Sequence, residues 1–202
     1  MNSIQPKLLN VGCGPKGRAH GFSGFERWQE IRLDIDPAVQ PDVVGTMVDM
    51  SAVPSGSIDA VVSSHNIEHL YPHEVPVALA EFVRVLKNDG LLLITCPDLQ
   101  SVCAHVARGE LASPLYESDS GPISALDVLY GHRGAMGAGN LYMAHRCGFN
   151  LDVLANTLRA CGFPRTVGLA RPASFDLWML ASKIALPDEA LRDLAMRHLP
   201  PR

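Results

Sequence analysis

The chain of 202 residues has no block of basic residues, no C-x-x-C cysteine pair and no apolar run long enough to cross a bilayer. Its formal net charge is −4 and its basic residues are scattered, so we expect neither a nucleic-acid partner nor a membrane partner. Five cysteines, an odd number, predict a reduced, cytoplasmic protein rather than a disulfide scaffold. Residues 1–6 lack a basic segment followed by an apolar one, which predicts no signal peptide.

Apolar segments of strand length alternate with turns and helices along the chain. Strands are predicted at residues 7–11, 31–35, 42–45, 58–63 and 91–95, followed by a closing pair at 166–170 and 175–182. Helices are predicted at residues 22–30, 75–86, 123–130, 151–160 and 186–199. The turn at residues 88–90 is predicted to end the 75–86 helix with a left-handed cap. This alternation is typical of a parallel sheet with crossover helices.

The pattern loosens between residues 98 and 143, where glycine is frequent and apolar periodicity is weak. Long irregular segments within compact domains often cover a substrate site. We therefore expect a single α/β domain over residues 1–202, with an insertion or lid at about 98–143 that lies over the carboxyl edge of the sheet.

The most informative segment is the apolar strand that breaks into a glycine turn at Gly12 and Gly14, followed by a second strand that ends at Asp34. In an open parallel sheet both features fall at the carboxyl ends of neighbouring strands, where nucleoside-like ligands bind. Glycine lets the backbone approach a ligand closely, and a carboxylate accepts hydrogen bonds from two ribose hydroxyls. The pair predicts an adenosine-containing cofactor.

An NAD-dependent oxidoreductase is one alternative, because residues 12–17 satisfy G-x-G-x-x-G with Asp34 about 20 residues further on. Pro15 and Lys16 disfavour it, since they occupy positions where that fold begins a long helix. A Walker phosphate loop is excluded because no Lys-Ser or Lys-Thr pair follows the glycines.

The order of further motifs resembles the Rossmann-like (class I) S-adenosylmethionine-dependent methyltransferases of the small bacterial methyltransferase-domain type. The resemblance rests on the glycine turn, Asp34, the segments Val48-Asp49-Met50 and Ser63 to Leu70 (ending in Glu-His-Leu), the turn before residue 91, and the later His145-Arg146-Cys147-Gly148-Phe149 and Gly162-Phe163 elements. It extends from about residue 8 to 182, apart from the insertion. Asn10 stands where the family often has an acidic residue, and an amide there still offers a hydrogen bond.

The resemblance implies a fold, an activity and a set of site residues. The fold would be a doubly wound, mostly parallel sheet of about seven strands with a reversed C-terminal hairpin. The activity would be methyl transfer from S-adenosylmethionine to an O, N or C nucleophile of a small-molecule or sugar acceptor. The residues implied to bind the cofactor are Asn10, Gly12, Cys13, Gly14, Asp34, Asp49, Met50, Ser64 and His65.

No motif identifies the methyl acceptor, so the acceptor side is predicted from the insertion and its end. His145 and His132 are the predicted catalytic residues, because an imidazole can remove the acceptor's proton. Arg133, Tyr142 and Arg146 are further candidates for contact with the acceptor. A non-catalytic, S-adenosylmethionine-binding partner subunit is the second alternative, and no residue pattern predicts an oligomeric state.

His65, His69 and His73 are spaced four apart, which places metal ligands on one helix face. Pro72 interrupts that helix, and methyl transfer from a sulfonium needs no metal. We therefore expect no metal site. The ring of His69 is expected to be buried and hydrogen-bonded to the backbone near the fourth strand, and Glu68 is expected to have a structural role.

Overall fold

The protein is described from a computed structural model, which covers residues 5–17, 21–118 and 121–201. Its strands in these residues are β1 (Lys7–Val11), β2 (Gln29–Asp34), β3 (Val43–Val44), β4 (Ile58–Ser64), β5 (Leu86–Pro97), β6 (Pro114–Ser118), β7 (Gly121–Ser124), β8 (Arg165–Arg171) and β9 (Asp176–Ser182). Its α-helices are α1 (Val75–Val85), α2 (Leu99–Val106), α3 (Ala125–Tyr130), α4 (Arg133–Gly137), α5 (Leu151–Ala160) and α6 (Asp188–His198). Short 3-10 helices lie at Pro37–Val39, Ile67–His69 and Leu141–Met143.

Seven of the strands form one sheet in the order β3-β2-β1-β4-β5-β9-β8. The first five are parallel to one another, whereas β9 is antiparallel to both of its neighbours. This arrangement confirms the predicted α/β sheet with a reversed C-terminal hairpin. Because β1 and β4 are adjacent and the chain leaves them in opposite directions along the sheet, their carboxyl ends flank the crevice where ligands bind in open α/β sheets.

Each face of the sheet packs on its own hydrophobic cluster, because successive side chains of a strand point to opposite faces. Leu92 and Ile94 of β5 pack in one cluster with α1 and α5, through residues such as Phe82 and Leu158. Leu91 and Leu93 of the same strand pack in the other cluster, which also contains Phe22, Phe25, Trp178, Leu191 and Leu199. The helix and loop layers thus hold β4 and β5 buried at the centre.

The insertion has more regular structure than the sequence predicted. β6 and β7 form a separate antiparallel hairpin, and α2 and α3 pack on it through Val102, Ile123, Ala125 and Val128. The predicted helix at residues 123–130 is present as α3. Its first turn has a capping box in which the side chains of Ser124 and Asp127 satisfy backbone donors.

Two local predictions were wrong. Residues 22–28 form turns and bends rather than a helix, and β2 begins at Gln29. Gly24 has a φ of +85°, and the rings of Phe22 and Phe25 reach Trp178 and His198 from this loop. Gly90 does not form a left-handed cap: α1 ends at Val85, and β5 begins at once at Leu86 and passes a bulge before Leu91. In the described residues no helix is both long and apolar enough to cross a membrane.

Candidate active site

A cleft of about 390 Å³ opens at the carboxyl ends of β1, β2 and β4. One side is formed by the glycine turn and the end of β2, and the other by the segment after β4 and by residues 140–146. Its apolar lining near β2 and β3 includes Leu33, Ile35, Val39 and Met47. The cleft therefore joins the two regions that the sequence assigned separately to cofactor and acceptor.

The glycine turn is held in a conformation that suits residues without a side chain. Gly12 and Gly14 have φ angles of +68° and +60°, in the left-handed region. The backbone N–H of Gly12 donates to the carbonyl of Leu33 at 2.9 Å, and the guanidinium of Arg32 donates to the carbonyl of Gly14 at 2.6 Å. β2 thus holds the turn from one side through backbone and side-chain contacts.

The carboxylate of Asp34 is oriented by backbone donors at the end of β2. Its Oδ2 accepts a hydrogen bond from the N–H of Gly14 at 2.8 Å, and its Oδ1 accepts one from the N–H of Asp36 at 3.0 Å. Each oxygen keeps a further lone pair, because a carboxylate has about four acceptor positions. Asp34 is therefore a fixed, anionic acceptor at the wall of the cleft, suited to a pair of hydroxyl donors.

His145 lies on the opposite wall of the cleft, and its ring is oriented by α3. Its Nδ1 is 2.7 Å from the carbonyl oxygen of Val128, and because a carbonyl only accepts, Nδ1 carries the proton. Burial lowers the pKa of His145, although the charge of Glu68 opposes that shift. The ring is therefore neutral near pH 7, with a free lone pair on Nε2.

Glu68, His69 and His145 form a cluster beneath that wall. One potential ligand atom from each residue lies within 4.8 Å of those from the other two. The rings of the two histidines contact edge to face, with their centroids 4.8 Å apart. Glu68 is 1% exposed, and neither of its carboxylate oxygens has a hydrogen-bond partner in the described part of the chain. Burial acts to raise the pKa of Glu68, but the interaction with His65, 3.5 Å away, and the neighbouring rings lower it below its ordinary value.

Comparison with known proteins finds one family that matches part of the chain. Residues 9–94, which include the glycine turn, Asp34 and Glu68, match the family described as "Methyltransferase domain". No curated protein sequence matches the chain significantly.

Solved methyltransferase structures share the fold across nearly the whole chain. A Burkholderia thailandensis 1,6-didemethyltoxoflavin-N1-methyltransferase, with bound 1,6-didemethyltoxoflavin and S-adenosylhomocysteine, has a TM-score of 0.54 at 20% identity and covers 90% of this chain and 72% of its own. A SAM-dependent methyltransferase from Archaeoglobus fulgidus has a TM-score of 0.55 at 16% identity. The match covers 89% of this chain and 86% of the other. A methyltransferase in complex with the Haloferax volcanii Trm112 methyltransferase activator has a TM-score of 0.54 at 13% sequence identity. The match covers 91% of this chain and 85% of the other.

Several of the predicted cofactor residues line the cleft. Gly12, Gly14, Asp34 and His65 line it. His65 follows β4 and has a φ of +48°, an unusual conformation for a residue with a side chain. Asn66, which the prediction did not include, lines the cleft next to it.

Other predicted cofactor residues lie away from the cleft lining. The side chain of Asn10 donates to Glu30 at 2.7 Å, and Cys13 is buried, with a pKa raised chiefly by that burial. Ser64 ends β4 without lining the cleft. These three residues support the strands behind the turn.

The two residues predicted to contact adenine do not line the cleft. Asp49 is exposed and accepts a hydrogen bond from the N–H of Ser51, whereas Met50 is 1% exposed in the core. Thr46 and Met47, just before them, line the cleft. Met50 packs in the core cluster that also contains Leu33 and Met47.

On the acceptor side, Tyr142, His145 and Arg146 line the cleft, but His132 does not. The ring of His132 caps α4 by accepting a hydrogen bond from the N–H of Ala135 at 3.1 Å. Arg133 donates to the carboxylate of Asp127 at 2.8 Å, and this ion pair stabilises α3 rather than the cleft. Nothing in the sequence separates these roles, because the insertion has no periodic pattern to orient its side chains.

The histidines of the 65–73 segment also take different places. His69 lies in the 3-10 helix, with its Nδ1 3.1 Å from the carbonyl of Ala144. Its ring therefore bonds to backbone as predicted, but at the end of the insertion rather than near the fourth strand. His73 is exposed and stacks on Tyr71. The three predicted positions therefore do not converge, while His145, distant in sequence, joins His69.

A second cavity, of about 350 Å³, adjoins the cleft at His65. Its walls come from the end of β5, the hairpin of the insertion, α3 and the loop between β8 and β9, with the lining residues Pro97, Tyr116, Val128, Ala173, Ser174, Phe175 and Asp176. Asp176 is paired with Arg171 through two hydrogen bonds, so its charge is balanced. The cavity provides room beyond His65 on the side of the insertion.

Proposed function

We propose that this protein is an S-adenosylmethionine-dependent methyltransferase that acts on a small-molecule acceptor. The observation that carries the proposal is the cleft in which the glycine turn and Asp34 face His69, Tyr142 and His145. A cofactor and an acceptor can meet in one site of this kind, because its two walls carry different chemistry. The family match over residues 9–94 supports the same reaction class.

S-adenosylmethionine is the cofactor, and the cleft suits each of its parts. The backbone at Gly14, which lines the cleft and has no Cβ, permits close approach of the methionine moiety. The free lone pairs of Asp34 suit the ribose hydroxyls. The apolar side chains of Leu33 and Met47 suit a purine ring, with Thr46 beside them as a polar contact.

When bound, this cofactor supplies a methyl group activated by its sulfonium: the S–CH₃ bond breaks toward sulfur as the acceptor's lone pair bonds the carbon, giving S-adenosylhomocysteine. The residues of the chain contribute alignment and exclusion of water. Holding two reactants in register can supply about 7–11 kcal/mol of a barrier. His145 and Tyr142 line the wall opposite the glycine turn, where they would contact the acceptor.

We assign the acceptor to the space between the insertion and the cleft. The second cavity meets the cleft at His65, and its volume of about 350 Å³ matches a small molecule. The insertion at residues 98–143 contributes Tyr116 and Val128 to that cavity and Tyr142 to the cleft. In this proposal residues 1–202 act as one domain, and the insertion acts as its lid.

A small acceptor is also in keeping with one of the structural relatives. The Burkholderia thailandensis methyltransferase holds 1,6-didemethyltoxoflavin together with S-adenosylhomocysteine. The relative in complex with a Trm112 activator provides the contrasting example, a methyltransferase bound to a protein. A small molecule is the better match here, because the space beside the cleft has a volume of about 350 Å³, which lies in the range of small-molecule pockets.

The first experiment is isothermal titration of the purified protein with S-adenosylmethionine, S-adenosylhomocysteine and NAD. We expect micromolar affinity for both sulfur-containing ligands and no binding of NAD. Binding of NAD without either of the others would overturn the proposal in favour of an oxidoreductase.

A second experiment identifies the class of acceptor. The protein is incubated with cofactor carrying a tritiated methyl group and with either the low-mass or the protein fraction of a cell extract. We expect label in the low-mass fraction, with a variant that lacks the Asp34 carboxylate as control. Label confined to the protein fraction would contradict a small-molecule acceptor, and cofactor binding without transfer to either fraction would favour a non-catalytic binding subunit.

A further inference from the structure

We propose that Glu68, His69 and His145 form a binding site for a divalent first-row transition-metal ion, for which Zn²⁺ is the best match. The three residues contribute one carboxylate and two imidazoles, a donor set found in zinc enzymes. One ligand atom from each lies within 4.8 Å of the others. A tetrahedral ion with bonds of about 2.0–2.2 Å brings ligand atoms to about 3.3–3.6 Å, a contraction that side-chain rotation can supply.

The hydrogen bonds of both histidines prepare them as ligands. The Nδ1 of His69 is 3.1 Å from the carbonyl of Ala144, and the Nδ1 of His145 is 2.7 Å from that of Val128. Each Nδ1 must therefore carry the proton, which leaves both Nε2 atoms with a free lone pair. Metal-binding histidines commonly show this arrangement, in which the second nitrogen donates to a carbonyl and fixes the ring.

Glu68 provides the independent observation that points to a cation. Its side chain is almost completely buried, yet neither carboxylate oxygen has a hydrogen-bond partner among the described residues. A buried carboxylate is normally paired or bound to a metal, because burial of an uncompensated charge is costly. His65, at 3.5 Å from Oε1, is too distant for a good hydrogen bond.

The backbone holds the two halves of the site together. The N–H groups of Arg146 and Cys147 both donate to the carbonyl of Glu68, at 2.8 and 3.2 Å. The side chain of Arg146 also donates to the carbonyl of His69 at 3.1 Å. Ligands 77 positions apart in the sequence are thus kept adjacent by contacts that need no ion.

The position of the site suggests what a cation would do. His69 and His145 line the cleft, so an open coordination position would face the acceptor. A Lewis acid there would bind an acceptor oxygen or nitrogen and lower its pKa. This role rests on the proposed function, whereas binding of the ion itself does not.

The test is titration of chelator-treated protein with Zn²⁺, with Mg²⁺ as the comparison ion, and the visible spectrum of the Co²⁺-loaded protein. We expect one equivalent of Zn²⁺, negligible binding of Mg²⁺ and an intense tetrahedral Co²⁺ spectrum, because imidazole ligands favour these metals over Mg²⁺. The variants Glu68→Gln, His69→Gln and His145→Gln should each weaken Zn²⁺ binding by at least about tenfold, the loss caused by removing even an outer partner.

His73→Gln is the matched control, because His73 is an exposed histidine of the same segment. It should bind Zn²⁺ like the wild type. The site is overturned if the wild type takes up no stoichiometric Zn²⁺, or if the three variants bind it as well as His73→Gln does. If Glu68→Gln does not fold, the wild-type titration and the Co²⁺ spectrum decide the question by themselves.

Titration of the same samples with S-adenosylhomocysteine separates this inference from the proposed function. Binding of S-adenosylhomocysteine without Zn²⁺ would overturn the cation site alone. Binding of Zn²⁺ without S-adenosylhomocysteine would overturn the methyltransferase proposal and leave the cation site in place.

Discussion

The side chain of Asn66 lies directly against the backbone of Gly12. A Cβ built on Gly12 would stand 2.3 Å from the Nδ2 of Asn66, far inside van der Waals contact. Gly12 follows β1 and Asn66 follows β4, so this contact joins the carboxyl ends of two neighbouring strands at the floor of the cleft. The absence of a side chain at Gly12 is therefore required both by its φ of +68° and by its neighbour.

Gly12→Ala should abolish or strongly weaken binding of S-adenosylhomocysteine. The left-handed conformation costs a residue with a Cβ about 1–2 kcal/mol, and Asn66 must also move into the cleft. Calorimetric titration measures the affinity, and thermal denaturation measures the stability. Gly56→Ala is the control, because Gly56 has a similar φ of +62°, and no described residue beyond its chain neighbours comes within 4 Å of the place a Cβ would take. Equal affinities for the two variants would contradict the role of the Gly12 contact.

Asp34→Asn should weaken binding of S-adenosylhomocysteine by roughly 10- to 100-fold, since hydrogen bonds to a charged group contribute about 1.5–3 kcal/mol. The N–H₂ group of the new amide would also face the backbone N–H of Gly14 or Asp36, and the hydrogen bond from that N–H would be lost because both groups are donors. Asp152→Asn, an exposed change on α5, serves as the control. If Asp34→Asn bound S-adenosylhomocysteine as tightly as the wild type, Asp34 would not be a cofactor-binding residue.

His145→Ala should spare cofactor binding and lower turnover, by about 10²- to 10⁴-fold if the ring acts in proton transfer. The reason is its position on the acceptor wall of the cleft, away from the glycine turn. His132→Ala is the informative comparison, because that ring caps α4. Methyl-transfer rates and titrations on both variants provide the measurement. Equal losses of turnover in the two variants would indicate that His132 also acts in catalysis. A loss of cofactor affinity in His145→Ala would contradict the assignment of His145 to the acceptor side.

Asp127 should make folding stability dependent on pH in the acidic range. Hydrogen bonds from Arg133, and then from Ser124, outweigh burial and hold the pKa of Asp127 well below its ordinary value. A carboxyl whose folded pKa is lowered stabilises the fold above its unfolded pKa, near 3.9, and loses that contribution as pH falls toward the folded value. Asp127→Asn should therefore be less stable than the wild type at pH 7 by about 1–3 kcal/mol, with a smaller difference below pH ~4.

Chemical denaturation of the wild type and Asp127→Asn across this pH range tests the sign. Asp89→Asn, at an exposed position of β5, should follow the wild-type curve at every pH. A difference between Asp127→Asn and the wild type that stays constant with pH would contradict the linkage.

Local sequence determined the elements that bear the cofactor side. Gly12 and Gly14 could be placed because their turn follows an apolar strand directly, and Asp34 because it ends the next one. The helix at residues 75–85 was readable from apolar residues spaced three and four apart, which form the buried face in the structure. Each of these features depends on residues that are close together in the sequence, so a short stretch of sequence is enough to predict it.

Tertiary packing decided the rest, because the deciding contacts join distant segments. Residues 22–28 form a loop in which the rings of Phe22 and Phe25 pack on Trp178 and His198, near the other end of the chain. Met50 packs in the core away from the cleft, whereas Thr46 and Met47 line it. His145 reaches His69 only because backbone hydrogen bonds bring residues 144–147 onto the segment after β4. The sequence alone thus determined the sheet and the cofactor turn, whereas long-range burial and hydrogen bonding decided which polar side chains meet on the acceptor side.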